Sequence, residues 1–215
     1  MRHPLIVFDW DGTLMDSTAL IARSIQAACT ELGLPAPAVA DCAWVIGLGL
    51  DDALRHVAPT LPASDYARLA QAYRRHYFAQ DDALVLFPGA LELLHALRDA
   101  GHALAVATGK SRTGLERALA HAELRGLFDA TRTADETASK PHPAMLDELM
   151  RELVYAPQQT LMIGDTTHDL QMARNAGCDA VAVAYGAHDA ATLAALQPLC
   201  VAESIAALHA FLLDR

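Results

Sequence analysis

The stretch "LIVFDWDGTLMDS", residues 5–17, runs four apolar residues directly into two aspartates one residue apart. The apolar run 5–8 is typical of a strand buried in a parallel sheet. If the strand continues, Asp9 and Asp11 share one face, because alternate residues of a strand point to the same side. Two like charges so close are costly unless a cation or a shared proton relieves them. The stretch therefore predicts a buried first strand that carries carboxylates to a cation site.

Strand and helix patterns alternate along the second half of the chain. Further strands are predicted at 102–108, 129–133, 160–165, 179–184 and 198–202. Helical periodicity predicts helices at 89–101, 111–122, 143–154, 167–177 and 204–213. Strands that alternate with helices indicate a parallel sheet covered on both faces. The predicted fold class is therefore α/β, with a doubly wound parallel sheet.

A long helical segment separates the first strand from the second. From Ser17, the expected N-cap of the first helix, the helical pattern continues for roughly sixty residues. We expect an inserted helical cap at 16–83, inside an α/β core made of 1–15 and 84–215. Within the cap, "VIGLGLDD" (45–52) contains glycines that favour a tight turn, and it is our candidate for the loop over the site.

Two groups of cap residues have expected roles. Helical spacing predicts a core stripe, formed by Tyr66, Leu69, Ala70, Tyr73 and Tyr77. A basic group is expected to be a solvated face from which one or two side chains reach the substrate. Its members are Arg55, His56, Arg74, Arg75 and His76.

Composition restricts the partners. A net charge of −10 argues against nucleic acid. Four cysteines without metal-type or dense disulfide spacing suit a reducing compartment, and no apolar run is long enough to span a membrane. We therefore expect a cytoplasmic protein with no membrane partner. Only two of the 16 basic residues are lysines: for Lys140 its context favours a specific role, whereas for Lys110 chance is an equal alternative.

Polar residues follow several of the predicted strands, or open a helix from the same edge of the sheet. In doubly wound sheets, ligands bind outside the carboxyl ends of the strands, so these residues are expected to meet around a ligand. They are Asp9, Asp11, Thr108, Lys140, Asp165 and Asp169. His168 lies within the same stretch as the last two and is expected to be solvated.

This set of side chains suits phosphoryl transfer through a covalent intermediate. Asp9 and Asp165 can hold Mg²⁺, which favours a few carboxylate oxygens together with phosphate and water. The metal would neutralise an incoming phosphate, so that a carboxylate can attack it. Thr108 can donate to a phosphoryl oxygen, and Lys140 can offset the negative charge. Asp11 then remains to protonate the leaving alkoxide and later to deprotonate water.

Four motifs in order carry a resemblance that runs over nearly the whole chain. They are "FDWDGT" (8–13), "ATGKS" (107–111), "SKPHP" (139–143) and "IGDTTHD" (163–169). This set resembles that of the haloacid dehalogenase superfamily, and within it the phosphoglycolate-phosphatase-like branch with an inserted helical cap. The "TGKS" segment is not read as a nucleotide P-loop, because Leu104 stands where that motif requires its first glycine.

The resemblance implies a role for each matching residue. It implies that Asp9 is the nucleophile and Asp11 the general acid and base. It also implies Mg²⁺ held by Asp9, the backbone carbonyl of Asp11, and Asp165. Asp169 would then contact these ligands without binding the metal itself, or would bind a metal-bound water. The residues implied to bind the phosphoryl group are Thr108, Gly109, through its backbone N–H, and Lys140.

The predicted function is an Mg²⁺-dependent phosphatase acting on a small phosphorylated metabolite, as a monomer or homodimer. The resemblance suggests 2-phosphoglycolate first, followed by sugar phosphates, nucleotides and pyrophosphate. A phosphomutase of the same superfamily stays open as an alternative, because the sequence does not report how long an aspartyl-phosphate survives.

Three other functions are disfavoured. A dehalogenase needs no metal and does not call for a second acid at Asp11. A phosphonate hydrolase of this superfamily uses a cap lysine, and here no lysine precedes Lys110. A signalling receiver domain also phosphorylates an aspartate beside Mg²⁺, but it lacks the helical insertion and its aspartate does not follow the first strand.

Overall fold

The computed structural model describes residues 3–81, 85–120, 124 and 126–213. Within these residues, six strands form one sheet in which every pair is parallel. The strands are β1 (Leu5–Phe8), β2 (Ala103–Thr108), β3 (Ala130–Thr133), β4 (Thr160–Gly164), β5 (Asp179–Val183) and β6 (Val201–Ala202). Their order in the sheet is β3-β2-β1-β4-β5-β6. The predicted parallel α/β sheet is confirmed.

Ten α-helices occur in the described part of the chain. Five lie between β1 and β2, and the first four of these are α1 (Thr18–Glu31), α2 (Val39–Trp44), α3 (Leu50–Val57) and α4 (Tyr66–Phe78). The others are α5 (Ala90–Asp99), α6 (Arg112–Leu119), α7 (Ala144–Leu153), α8 (Thr167–Ala176), α9 (Ala190–Ala194) and α10 (Ile205–Leu213). The predicted helix at 111–122 extends over 121–122, which lie outside the described residues.

Strand β1 is wholly buried because helices cover both faces of the sheet at this point. Ile6 and Phe8 pack into a cluster that includes residues of α5 and α10. Leu5 and Val7 point to the other face and pack with residues of α7 and α8. A strand with apolar partners on both sides has no need of alternating polar residues, which explains the unbroken apolar run in the sequence.

The sheet reverses its winding direction between β1 and β4. The chain proceeds from β1 to β2 and β3 on one side, and β4, β5 and β6 extend on the other. Such a switch point is where doubly wound sheets bind ligands, beyond the carboxyl ends of the strands. The two central strands stay paired up to this edge, since the Asp9 N–H donates to the Ile163 carbonyl at 2.8 Å.

Helices α1 to α4 form a bundle around an apolar cluster of their own. Its buried members include Ile25, Cys29, Leu54 and Leu69. The predicted stripe on α4 contributes to the cluster, although Tyr73 is only half-buried. The chain enters and leaves the bundle through two segments that lie side by side: Asp16 N–H donates to the Val85 carbonyl at 3.0 Å, and Phe87 N–H to the Leu14 carbonyl at 2.9 Å.

Ser17 stands at the N-cap position of α1, as predicted, but its side chain does not cap the helix. Its hydroxyl donates instead to Asp11 Oδ1 at 2.6 Å. A carboxylate is a stronger acceptor than a neutral group, and hydrogen bonds to it are shorter and stronger. Ser17 is therefore the N-cap residue by position, and its side chain links the start of the bundle to the first motif.

Among the described residues, no helix has both the length and the apolar character that crossing a bilayer requires.

Candidate active site

Three carboxylates meet beyond the ends of β1 and β4. Asp9 follows β1, Asp165 follows β4, and Asp169 lies in the first turn of α8. One oxygen of each lies within 4.8 Å of the others, and all three residues are buried. Asp169 is fixed by a capping box, in which its Oδ2 accepts from the Thr166 N–H at 3.1 Å and the Thr166 hydroxyl at 2.6 Å.

Lys140 is the cation of this cluster. Its Nζ lies 2.6 Å from Asp9 Oδ1 and 2.6 Å from Asp169 Oδ1, and its side chain has 0% exposure. Burial alone would lower the pKa of Lys140, but the charges of Asp169 and Asp9 outweigh burial and raise that pKa. The ammonium therefore stays charged, and it holds two of the three carboxylates in place.

Asp165 is held from two sides. Its Oδ1 accepts from the Thr13 hydroxyl at 2.9 Å, and its Oδ2 accepts from the Ala187 N–H at 2.7 Å. Burial, reinforced by the charge of Asp169, raises the pKa of Asp165 to about 7. The backbone also crowds this carboxylate, because a Cβ at Gly12 or Gly186 would lie 2.1 or 2.2 Å from Asp165 Oδ2. The glycine of the first motif is thus required for space as well as for its positive φ of 83°.

Asp9 retains one free oxygen. Its Oδ1 accepts from Lys140, while its Oδ2 is buried and has no hydrogen-bond partner in the described part of the chain. Burial raises the pKa of Asp9 well above its usual range; Lys140 opposes this shift, and Asp169 and Asp165 add to it. An unpartnered buried carboxylate oxygen is costly, so this atom is where a cation or an electrophile would be stabilised.

The second motif lies beside this cluster, under the loop between α2 and α3. Thr108 is buried, and its hydroxyl oxygen accepts from the Lys110 N–H at 3.2 Å. A Cβ at Gly109 would lie 2.4 Å from the Leu48 carbonyl oxygen, so only glycine allows the loop to approach this closely. The predicted tight turn in residues 45–50 is confirmed, and it lies against Gly109 of the second motif.

Asp11 is not a member of the buried carboxylate cluster. Its Oδ1 accepts from the Ser17 hydroxyl at 2.6 Å and lies 3.0 Å from Lys110 Nζ. Lys110 Nζ in turn donates to the Tyr77 hydroxyl at 2.7 Å. This role of Lys110 was missed by the sequence analysis, although the scarcity of lysine in the chain was a signal that could have identified it.

A cavity of about 260 Å³ separates the bundle from this edge of the sheet. Asp11, Gly109 and Lys110 line it from the core, whereas Ile21 and Leu48 are among the apolar residues that line it from the bundle. Asp11 is thus positioned at the border between the cavity and the buried cluster. A molecule in this cavity would contact both the second motif and the bundle.

The predicted basic group of the bundle divides in the structure. Arg74 lines the cavity. Arg55 stacks on the Tyr66 ring at 4.5 Å, and Arg75 and His76 both bind the exposed Glu31. His56 does not line the cavity. Arg74 is therefore the member of the group that faces the cavity, and its contact with a substrate stays a prediction.

His168 is not solvated, so that prediction is wrong. Its Nε2 lies 2.8 Å from the Trp44 carbonyl oxygen, and its ring is largely covered by Trp44 and His188. Trp44 stacks on His188 with ring centroids 4.9 Å apart. Trp44 ends α2, and His168 lies in the first turn of α8, so this aromatic group joins the bundle to the core. This group could not be predicted, because its members are far apart along the chain.

The parallel sheet and the acidic cluster at its switch point define an α/β enzyme of the doubly wound class. The model of the haloacid dehalogenase-like hydrolase family matches residues 6–183. The chain therefore belongs to that family, in its phosphoglycolate-phosphatase-like branch. The predicted family and the predicted enzyme class, a hydrolase of the phosphatase type, are confirmed.

Named relatives cover almost the same length. The chain is 37% identical to a probable phosphatase IndB of Dickeya dadantii, over 97% of this chain and 95% of that protein. It is 34% identical to a phosphoglycolate phosphatase of Mannheimia succiniciproducens, over 86% of this chain and 87% of that protein. Among solved structures, a predicted phosphoglycolate phosphatase from Haemophilus somnus superposes with a TM-score of 0.85 at 26% identity, covering 97% of both chains.

Proposed function

We propose that the protein is an Mg²⁺-dependent phosphatase that hydrolyses a small phosphomonoester through a phosphate ester on Asp9. The observation that carries this proposal is the free buried Oδ2 of Asp9, beside Lys140 at the switch point. A carboxylate oxygen without a hydrogen bond keeps its lone pairs for an electrophile, and carboxylates form such aspartyl-phosphate intermediates.

The donor set fits a divalent cation. Three buried carboxylates face one ammonium, which leaves a formal charge of −3 + 1 = −2 when all are ionised. Asp9 and Asp165 would hold Mg²⁺ together with the backbone carbonyl of Asp11, and Asp169 would stay bound to Lys140 and Thr166. When bound, the ion supplies the positive charge that lets a phosphate dianion approach a carboxylate.

Asp9 and Asp11 divide the chemistry in this proposal. Asp9 Oδ2 forms a bond to phosphorus while the bond from phosphorus to the ester oxygen breaks, and Asp11 gives its proton to that leaving oxygen. Asp11 then takes a proton from water, the water oxygen bonds to phosphorus, and the bond from Asp9 to phosphorus breaks. The products are an alcohol and inorganic phosphate, and both carboxyl groups return to their starting states.

Thr108, Gly109 and Lys140 are proposed to bind the phosphoryl group. The Thr108 hydroxyl and the Gly109 N–H lie at the end of β2, next to β1 in the sheet. Lys140 already contacts the carboxylate that would attack. Donors fixed before the reaction stabilise developing charge without a reorganisation cost at the moment of reaction.

The bundle, residues 16–83, is proposed to act as a cap on a core made of 1–15 and 84–215. The separate apolar cluster of the bundle and the paired entry and exit segments support this division. The cavity between the two parts would then hold the leaving group, so bundle residues would select the substrate. A cytoplasmic location is part of the proposal, and it is supported by cysteines that are all free thiols.

The first substrate candidate is 2-phosphoglycolate. Relatives that bear the name phosphoglycolate phosphatase support it, and so does Arg74, which lines the cavity and could bind a carboxylate. The test is phosphate release from a panel of phosphomonoesters, with Mg²⁺ and with excess chelator, ranked by kcat/KM. Turnover that needs Mg²⁺, with phosphate trapped on Asp9, is the expected result. Full activity in chelator would contradict the proposed metal dependence.

A further inference from the structure

The two lysines of the chain are distributed one to each aspartate of the first motif. Lys140 binds Asp9 and Lys110 binds Asp11, at 2.6 and 3.0 Å. In a chain where the other 14 of 16 basic residues are arginine, this pairing is specific. An ammonium is compact and its donors rotate freely, whereas a guanidinium is a rigid planar fork. A lysine can therefore bind a carboxylate and a second partner in a narrow space.

The second partner of Lys110, after Asp11, belongs to the bundle. Besides Asp11, its Nζ contacts the hydroxyl of Tyr77 at 2.7 Å and lies 4.7 Å from the centre of the same ring. A cation over an aromatic face is attracted by the ring, more strongly where water is excluded. The Lys110 side chain is only 9% exposed. Tyr77 belongs to α4, so the ammonium connects a core aspartate to a bundle helix.

The other partner of Asp11 also belongs to the bundle side. Ser17 directly precedes α1, and its hydroxyl donates to the same Oδ1 that Lys110 contacts. The Asp11 side chain is 10% exposed. Both groups that hold its carboxylate are thus attached to the bundle, one through the start of α1 and one through Tyr77 on α4. Any displacement of the bundle against the sheet edge must alter at least one of these contacts.

We propose that Lys110 is a positioning residue that holds the Asp11 carboxylate and, through Tyr77, makes its placement depend on the position of the bundle. This inference rests on the proposed function, in which Asp11 transfers protons. Lys110 itself touches no reacting atom in the proposed mechanism. Its effect on turnover is exerted through Asp11, so removing Lys110 should reduce proton transfer and leave the attack by Asp9 unaffected.

The experiment is a double-mutant cycle of Lys110→Met and Asp11→Asn, measured as kcat for an alkyl phosphate and for para-nitrophenyl phosphate. Loss of one general acid and base costs about 10² to 10⁴ in rate, and Lys110→Met should lose a part of that, about 10- to 100-fold, with the alkyl phosphate. When Lys110→Met is given para-nitrophenyl phosphate, whose leaving group needs little protonation, a burst of para-nitrophenol release should precede slow turnover. In the Asp11→Asn background, Lys110→Met should change kcat by about twofold or less, because groups that act as a unit are not additive.

Tyr77→Phe with Tyr66→Phe as its matched control tests the connection to the bundle. Both tyrosines lie on α4, and each loses one buried hydroxyl with a single hydrogen bond, that of Tyr66 to the Ala58 carbonyl at 2.8 Å. Tyr77→Phe should lower kcat for the alkyl phosphate about three- to tenfold, in line with the net contribution of one typical intramolecular hydrogen bond. Tyr66→Phe should not lower it beyond twofold. This pair also decides the question if Lys110→Met does not fold, as judged by circular dichroism.

Three outcomes would overturn the inference. They are an unchanged kcat in Lys110→Met, equal losses from Lys110→Met with and without Asp11, and equal losses from the two tyrosine variants. Failure of the proposed function has a different signature: wild-type protein that hydrolyses no phosphomonoester, or Asp11→Asn with undiminished turnover. The two failures can therefore be told apart.

Discussion

The two lysine–aspartate pairs of the first motif differ in what surrounds them. The Lys140–Asp9 pair has 0% and 1% side-chain exposure, and its further charged partner, Asp169, belongs to α8 of the core. The Lys110–Asp11 pair, at 9% and 10%, is shared with the bundle through Tyr77 and Ser17. In the proposed mechanism, Asp9 is thus held for attack by groups of the core, whereas Asp11 is held for proton transfer by groups attached to the bundle. A nucleophile must be fixed, whereas a proton donor must admit and release a leaving group.

The largest expected effect comes from replacing Asp9, the aspartate that is held within the core. Asp9→Asn keeps the shape of the side chain but removes the carboxylate that is proposed to attack phosphorus. We expect a loss of about 10⁴-fold or more in kcat, as for other covalent nucleophiles. Mass spectrometry of protein quenched during turnover should detect no phosphate on this variant and should detect it on Asp9 in the wild type. Phosphate found on Asp11 in the wild type would show that the two roles are reversed.

The same substitution at the two lysines tests the comparison most directly. Lys140→Met would leave Asp9 and Asp169 buried without their cation, and breaking a buried ion pair in this way costs about 3–5 kcal/mol of unfolding free energy. Lys110→Met leaves Asp11 with its hydrogen bond from Ser17 at the border of the cavity, so it should cost less, about 1–2 kcal/mol. Urea unfolding of the two variants, without added metal, measures both values. Equal losses would mean that the two pairs are not different in kind.

Much of the fold could be predicted from the sequence because its signals are local. The apolar run 5–8 and the alternation of strands and helices after Pro88 do not depend on distant residues. The members of the buried cluster were also predictable, because parallel strands end at one edge and Asp9, Asp165 and Lys140 follow or approach that edge. The four ordered motifs supplied the rest of the family assignment.

The contacts between bundle and core could not be predicted in the same way. Lys110 meets Tyr77 across 33 positions in the chain, and His168 meets the Trp44 carbonyl across 124. No periodicity or spacing records such pairs, since they depend on how the bundle sits against the sheet. Ser17 shows the same limit locally: its residue type and position indicated a helix cap, but a nearby carboxylate was the better acceptor.

A smaller effect is expected from replacing Asp11, the aspartate that is held partly through the bundle. Asp11→Asn keeps Asp9, Lys140 and the backbone carbonyl at position 11, so the phosphoenzyme should still form. Its turnover of alkyl phosphates should fall by about 10² to 10⁴. With para-nitrophenyl phosphate, rapid-quench kinetics should show a burst followed by slow hydrolysis, and the protein trapped after the burst should carry phosphate on Asp9. A variant that forms no phosphoenzyme from this activated substrate would show that Asp11 is needed for the attack itself.

The smallest effect is expected at the bundle side of the cavity, which Arg74 lines. If 2-phosphoglycolate is a substrate, its carboxylate is the group that Arg74 would bind, and binding at an exposed site of this kind is worth about 0.5–1.5 kcal/mol. Arg74→Met should therefore raise KM for 2-phosphoglycolate about three- to tenfold, with kcat changed little, because the contact is made equally before and during the reaction. KM for a neutral alkyl phosphate of similar size should not rise. Arg75→Met is the matched control, since this neighbour binds the exposed Glu31 rather than lining the cavity. Equal KM changes for the charged and neutral substrates would show that Arg74 does not bind the carboxylate of the leaving group. The apolar residues of the bundle would then select the substrate.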